Sequence, residues 1–278
     1  MRKTKLLVTA LLFLLLSFGL AACGTNDAAK PYVDAGDKAM KEKKYTDAMQ
    51  AYANAYKQDN QDKVLAKLQD ARKQRATQLK DLFQKAYSEP NYKQAQVYAT
   101  ELKKFKDQLD ENYLKTYNKQ KKEVSTYLKE QEEFDTYLTW AKATISEVKE
   151  VENQWSVIST NIRFGDPASA DSQLQTLILK NMDIKKKVDT KSFEVPKYAE
   201  SHKLLIDITK NNNKALEKVL EALREDKLVS GDIVDQGKDV DETSNAILQY
   251  TSSLNAYASS HKLAYTFNDI AVPTEEQK

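Results

Sequence analysis

Residues 124–162 read VSTYLKEQEEFDTYLTWAKATISEVKEVENQWSVISTNI, and the spacing within that stretch decides the fold class. Positions seven apart give Tyr127, Phe134, Ala141, Val148, Trp155 and Ile162, every one apolar. A second line gives Val124, Leu138 and Ile145, interrupted by Gln131, and then drifts to Val151 and Ile158. Two apolar lines of heptad period form one stripe along a helix, and a stripe this long has to be covered by other helices. The pattern predicts one helix from about Glu111 to Ile162, with its apolar marks lapsing at Lys119–Lys122.

Downstream, Phe164-Gly165-Asp166-Pro167 ends that helix and starts another. Gly suits a left-handed C-terminal position, Asp an N-cap and Pro the first helical turn. Leu174, Leu177, Ile178, Ile184 and Val188 mark the buried side of the next helix, and Lys191 to Pro196 is the break after it. A further pattern runs through Leu204, Leu205, Ile208, Ala215, Val219, Leu220 and Leu223. Leu228 to Gly237 reads as a looser link, and Val240, Ile247, Leu254 and Tyr257 mark the last helix. Four such helices can close a bundle core. Only 6 Gly and 5 Pro occur in 278 residues, which favours long helices because helix interiors exclude both.

Upstream, Tyr32, Gly36, Ala39, Ala48, Tyr52 and Ala55 stand at the distances of two packed helices, with a turn near Lys43-Lys44. A weaker copy follows: Asn91-Tyr92-Lys93-Gln94-Ala95 echoes Lys44-Tyr45-Thr46-Asp47-Ala48, and Leu79, Leu82, Phe83, Ala86 and Leu102 take the places of Tyr32, Ala35, Gly36, Ala39 and Ala55. The copies lie 47 residues apart, and the surplus length is expected to extend a helix beginning near Asp62. This segment resembles the tetratricopeptide repeat family, in which small residues let paired helices approach and large ones fill the space between. Two copies are fewer than the three such arrays usually need, so the following helices are expected to cap them. The fold class is thus all-α: tetratricopeptide-like helical hairpins over residues 32–110, then an antiparallel bundle with one long helix over 111–262. A disordered tail is expected over 263–278.

Residues 1–23 carry a different kind of message. Arg2, Lys3 and Lys5 precede an apolar run from Leu6 to Leu20, which ends at Leu20-Ala21-Ala22-Cys23. This is the layout of a secretory signal peptide, and a run of about 15 residues falls short of the ~20 that span a bilayer. Leu-Ala-Ala-Cys resembles the lipobox of bacterial lipoproteins. The resemblance implies cleavage between Ala22 and Cys23, a diacylglycerol on the Cys23 thiol, and a place on the extracytoplasmic face of the cell membrane. Residues 1–22 would then be removed, and residues 23–31 would hold the lipid and a short tether. Each buried methylene contributes ~0.8 kcal/mol, so two acyl chains anchor stably where one does not.

Charge and chemistry narrow the function. Arg2, Lys3 and Lys5 are the only charged groups in residues 1–22, so the rest holds 40 Lys+Arg against 41 Asp+Glu, a net −1. With no global positive field, nucleic acid is not an expected partner. Cys23 is the single cysteine, which excludes an internal disulfide. Only His202 and His261 are present, near a helix start and a helix end, so neither a metal centre nor a catalytic triad is expected. The acidic group Asp235, Asp239, Asp241 and Glu242 lacks the spacing of a calcium loop and reads as a turn complementing a helix dipole. Glu130, Glu132 and Glu133 read as a solvated helix face, as do Lys185-Lys186-Lys187. No phosphate-cradling glycine motif occurs, and no cofactor is expected.

Tyrosine is plentiful, at 15 against 8 Phe. Tyr45, Tyr52, Tyr56, Tyr92 and Tyr98 gather in the repeat region, either as packing or as the lining of a peptide groove, which is how this repeat class is generally used. Trp140 lies off the heptad line, either covered by a neighbouring helix or marking a contact patch. The expectation is a non-enzymatic, membrane-anchored lipoprotein that binds a protein or peptide, with these aromatics as candidate contacts. The alternatives are a helical solute-binding lipoprotein serving a transporter and a regulator of cell-wall enzymes.

Overall fold

The computed structural model describes residues 27–165, 167–192, 196–225 and 230–265. The lipobox, with Ala22 and Cys23, lies outside them. The described residues are 90% helical and contain no strand. They fall into two compact units, Met1–Ser125 and Thr126–Lys278.

The first unit is a run of helical hairpins. Helix α1 (Lys30–Lys41) pairs with α2 (Tyr45–Gln58), and α3 (Asp62–Ser88) pairs with α4 (Tyr92–Leu102). A short 3-10 stretch, Lys103–Gln108, follows. The buried residues of α2 are Ala48, Tyr52 and Ala55; those of α4 are Ala95, Ala99 and Leu102. These sets are the same three positions, 47 residues apart, so the two hairpins share one register. The turn after α1 is a Schellman motif: Lys44 N–H donates to Ala39 O at 2.9 Å and Lys43 N–H to Met40 O at 3.1 Å. Lys43 holds the left-handed position with φ 57°, where glycine is usual. Asn91 caps α4 by accepting from Gln94 N–H at 3.3 Å. Tyr32, expected to fill space beside the hairpin, is instead 39% exposed on the first turn of α1; Tyr52 alone does the filling.

Helix α5 (Glu111–Phe164) is a single helix of 54 residues. The division between units falls inside it, beyond residue 111, where the sequence places the bundle's start. The reason is visible in its first turns. Tyr117 is buried, its hydroxyl donates to Ala99 O at 2.7 Å, and its ring meets Phe83 edge-on at 5.2 Å. The start of α5 therefore covers the second hairpin.

The second unit consists of the rest of α5 with α6 (Pro167–Ser192), α7 (Ala199–Glu225), the short α8 (Ser230–Asp235) and α9 (Lys238–Asp241), and α10 (Thr243–Ser260). The heptad stripe is its spine: Phe134, Ala141, Val148, Trp155 and Ile162 are buried, as are Leu138, Ile145, Val151 and Ile158. Leu174, Leu177, Ile184 and Val188 of α6, Leu205, Leu216 and Val219 of α7, and Ile247, Tyr250 and Leu254 of α10 complete one core. The segment read as a loose link carries α8, with Ile233 and Val234 buried. Gly237 follows it under the Trp155 ring.

The tail expectation needs correction over its first three residues. Leu263 is buried, the main chain of Ala264 exchanges two hydrogen bonds with the side-chain amide of Gln131, and the Tyr265 ring stands edge-on to Phe134 at 5.4 Å. The apolar residues here are not part of a heptad, which is why periodicity did not reveal the packing. Residues 266–278 lie outside the described residues.

Candidate functional site

Tyr45, Tyr56, Tyr92 and Tyr98 are half-buried, each keeping part of its side chain at the surface of the first unit. Tyr45 and Tyr92 both occupy the first position of the second helix in their hairpins. Tyr92 lies 6.1 Å from the Tyr87 ring, whose hydroxyl donates to Glu123. Tyr52 is different. It is 2% exposed, its hydroxyl donates to Asp37 Oδ1 at 2.6 Å, and Asp37 pairs with Lys67 at 2.6 Å. Burial and the neighbouring carboxylate both push its hydroxyl pKa upward. Tyr52 is a packing residue with no face to offer a partner.

Trp140 is also half-buried. Its ring lies 5.7 Å from Tyr137 and 5.5 Å from His202, and Lys191 Nζ sits 5.8 Å from its centroid. The ring forms part of an open groove of about 620 Å³, together with Asp183, Lys186, Lys187, Thr190 and Lys191. Helix α6 thus covers one side of Trp140 and leaves the rest accessible. The basic run beside it is largely matched by acids: Lys185 pairs with Asp189 at 2.5 Å and Lys187 with Glu147 at 2.8 Å.

Behind Trp140 lies a buried polar chain. His202, near the start of α7, is 1% exposed. Its Nε2 lies 2.8 Å from Val188 O, which can only accept, so Nε2 carries the proton. Nδ1 then accepts from Tyr137 hydroxyl at 3.0 Å, and Tyr137 accepts from Tyr250 hydroxyl at 2.8 Å. The order Tyr250, Tyr137, His202, Val188 O joins α10, α5, α7 and α6 in one layer. Burial lowers the His202 pKa, and it raises those of Tyr137, to about 12, and Tyr250. The chain ends on a main-chain carbonyl and every proton in it has an acceptor. Its chemistry is that of a neutral strut.

More polar layers run along the same core. Asn181 donates to Thr209 O at 2.8 Å, and Thr243 donates to Asn212 Oδ1 at 3.0 Å. Ser201 and Ser253 hydroxyls are 2.7 Å apart. The sequence held a signal for them: Asn181 lies on the line Leu174–Asn181–Val188, and His202 lies seven before Thr209 and fourteen before Leu216. Polar residues on an apolar line mark buried polar contacts, although the line does not say with whom.

The acidic turn is structural in each member that makes a contact. Asp241 accepts from Trp155 Nε1 at 2.8 Å, Asp235 pairs with Arg163 at 3.5 Å, and Glu242 with Lys238 at 3.5 Å. The start of α10 is capped from another helix, by Glu152 accepting from Ser244 N–H at 3.2 Å and Ser244 hydroxyl at 2.6 Å. Among the described residues, no group of three His, Cys, Asp or Glu side chains could hold a metal ion. No described helix is long and apolar enough to cross a membrane.

No protein-family model, curated protein or solved structure matches this chain.

Proposed function

We propose that this chain is a lipoprotein, anchored through Cys23 on the extracytoplasmic face of a membrane, that binds a protein or peptide without catalysing a reaction. The observation that supports the binding role is the division of labour among the hairpin residues. Ala48, Tyr52, Ala55, Ala95, Ala99 and Leu102 do the packing, which leaves Tyr45 and Tyr92 half-buried at matching positions. Tyr98 is half-buried beside them, Tyr56 packs in part on Ala55 and Val64, and Trp140 offers a second contact on the other unit. Amphipathic rings of this kind give large contact area at low entropic cost.

The test has two parts. Mass spectrometry of the membrane-extracted protein should find residues 1–22 gone and Cys23 carrying a diacylglycerol; a free thiol at position 23 removes the anchor. Crosslinking in the native cell with the Tyr45→Ala, Tyr92→Ala, Tyr98→Ala triple variant should lose partner adducts while the melting temperature is retained. Unchanged adducts would remove the hairpin surface from the account.

A further inference from the structure

We propose that the groove beside Trp140 on the second unit binds a short uncharged oligosaccharide, with a pyranose ring on the indole and its hydroxyls shared between Asp183 and Lys186. This goes beyond the protein-binding reading: the second contact assigned to Trp140 becomes one with sugar, and it stands independently of the hairpin surface.

The groove has a wall from each of two helices. Trp140 stands on α5, and Asp183, Lys186, Lys187, Thr190 and Lys191 stand on α6, around a volume of about 620 Å³. That size falls within the ~300–1,000 Å³ of small-molecule sites. Both walls are held by His202. Its ring lies 5.5 Å from the indole, and its Nε2 donates to Val188 O of α6 at 2.8 Å. Lys187 ties α6 to α5 again through Glu147, about two turns beyond Trp140. The groove is therefore shaped before a ligand enters, which lowers the cost of binding.

The charges around the indole nearly cancel. Lys187 is paired with Glu147 at 2.8 Å, and Lys191 stands in the last turn of α6, where its charge offsets the negative end of the helix dipole. Asp183 and Lys186 form no ion pair among the described residues, and they balance each other. An anion would find little net attraction here. A protein partner's apolar anchor would find a single apolar residue, whereas such anchors fill desolvated apolar pockets. A sugar suits both conditions. The C–H groups on one face of its ring lie on the aromatic plane, and its neutral hydroxyls donate to the Asp183 carboxylate and accept from the Lys186 ammonium. The Thr190 hydroxyl donates to Lys186 O at 2.9 Å, so its oxygen is left to accept from the ligand.

The site continues beyond a single ring. Lys186 and Thr190 also line a second groove, of about 560 Å³, together with Met182 of α6 and Asn213 of α7. Asn213 Nδ2 donates to Glu217 at 2.6 Å, but Asn213 Oδ1 is buried and has no hydrogen-bond partner among the described residues. Buried acceptors are ordinarily satisfied, and a ligand hydroxyl in this groove supplies the missing donor. Met182, 48% exposed, gives this side its apolar surface. One groove lies toward α5 and the other toward α7, with the Lys186–Thr190 turn between them, so linked rings can occupy both.

The experiment titrates the full mature chain by calorimetry with cellotetraose, maltotetraose and chitotetraose as neutral probes and tetragalacturonate as the anionic one. At least one neutral probe should bind. Trp140→Ala should weaken that binding about tenfold, the loss expected for a stacked aromatic face. The Trp140 ring also packs on Tyr137 and His202, so two exposed positions keep the test separate from folding. Asp183→Ala and Lys186→Ala should each weaken binding about fivefold with the melting temperature unchanged.

No binding of any neutral probe at about 10 mM overturns the proposal, as does binding that Trp140→Ala and Asp183→Ala leave unchanged. Binding of tetragalacturonate alone would overturn it in favour of an anion site built from the lysines. Tyr45, Tyr92 and Tyr98 play no part in the titration, so its failure leaves the crosslinking test of the first unit unaffected.

Discussion

The ring of Tyr52 occupies the space a β-carbon on Gly36 would need: its Cε1 lies 2.4 Å from the ideal Cβ position. The Tyr52 hydroxyl is tied to Asp37, so the ring cannot easily move aside. At the equivalent positions of the second hairpin, sizes are exchanged: Phe83 stands in for Gly36 and Ala99 for Tyr52, and both are fully buried. One large and one small residue satisfy the same helix–helix approach either way round.

Gly36→Ala should therefore destabilise the first unit. Alanine is favoured over glycine by up to ~1 kcal/mol in a helix, but overpacking costs about 1–3 kcal/mol, and the ring is held. Gly231→Ala is the control: nothing lies within 4 Å of its Cβ position, so the propensity gain should stand alone at about 0.5 kcal/mol or more. Urea unfolding of both variants decides this. A Gly36→Ala protein as stable as the parent would show that Tyr52 is free to shift.

Lys43 is the counterpart case. A non-glycine residue at φ 57° pays a steric penalty that glycine escapes, so Lys43→Gly should stabilise the α1–α2 hairpin by about 1 kcal/mol. Thermal melts would register the rise. A fall in melting temperature would mean that the Lys43 side chain contributes more than its backbone conformation costs.

The Tyr250–Tyr137–His202 layer predicts a ranking. Tyr250→Phe removes one buried hydroxyl and should cost about 1 kcal/mol. Tyr137→Phe leaves both His202 Nδ1 and Tyr250 hydroxyl without their partner and should cost more, about 2–4 kcal/mol on the same scale. Equal losses would contradict the central position of Tyr137.

The same layer makes stability depend on pH. Burial lowers the His202 pKa below its ordinary 6.5, so near and below that pH the unfolded chain binds a proton that the folded chain refuses. Stability from this group is fully present above pH 6.5 and is lost as pH falls toward the lowered folded pKa. Urea midpoints measured from pH 7.5 downward should drop for the parent protein and drop less for His202→Gln. Parallel curves would remove His202 as the cause.

The two tryptophans give an optical check on the second unit. Trp155 is fully buried with its Nε1 on Asp241, while Trp140 is half-buried beside Lys191. Emission of Trp140→Phe should be shielded from iodide, and that of Trp155→Phe should be quenched. The reverse order would mean that the ring over Gly237 is open to solvent.

Much of the fold was legible because helix periodicity is local. The heptad line from Phe134 to Ile162 is buried residue for residue, the break at Phe164–Pro167 ends one helix and starts the next, and the shared hairpin register holds. The candidate surface was only partly legible. Tyr45, Tyr52, Tyr56, Tyr92 and Tyr98 look alike in sequence, yet Tyr52 faces Gly36 across the hairpin and the others keep surface exposed. Gln131 announced itself as an exception on an apolar line, but its partner lies 133 residues away.

By itself the sequence determined which residues lie on one side of each helix, because a stripe at heptad spacing has no other way to leave water. Which helix comes to meet each stripe depends on contacts between residues distant in the chain. Only the tertiary structure paired His202 with Tyr137, set Trp155 over Gly237 and laid Ala264 against Gln131. Those pairings are set by side-chain size and hydrogen-bond geometry across helices, which no spacing along one helix encodes.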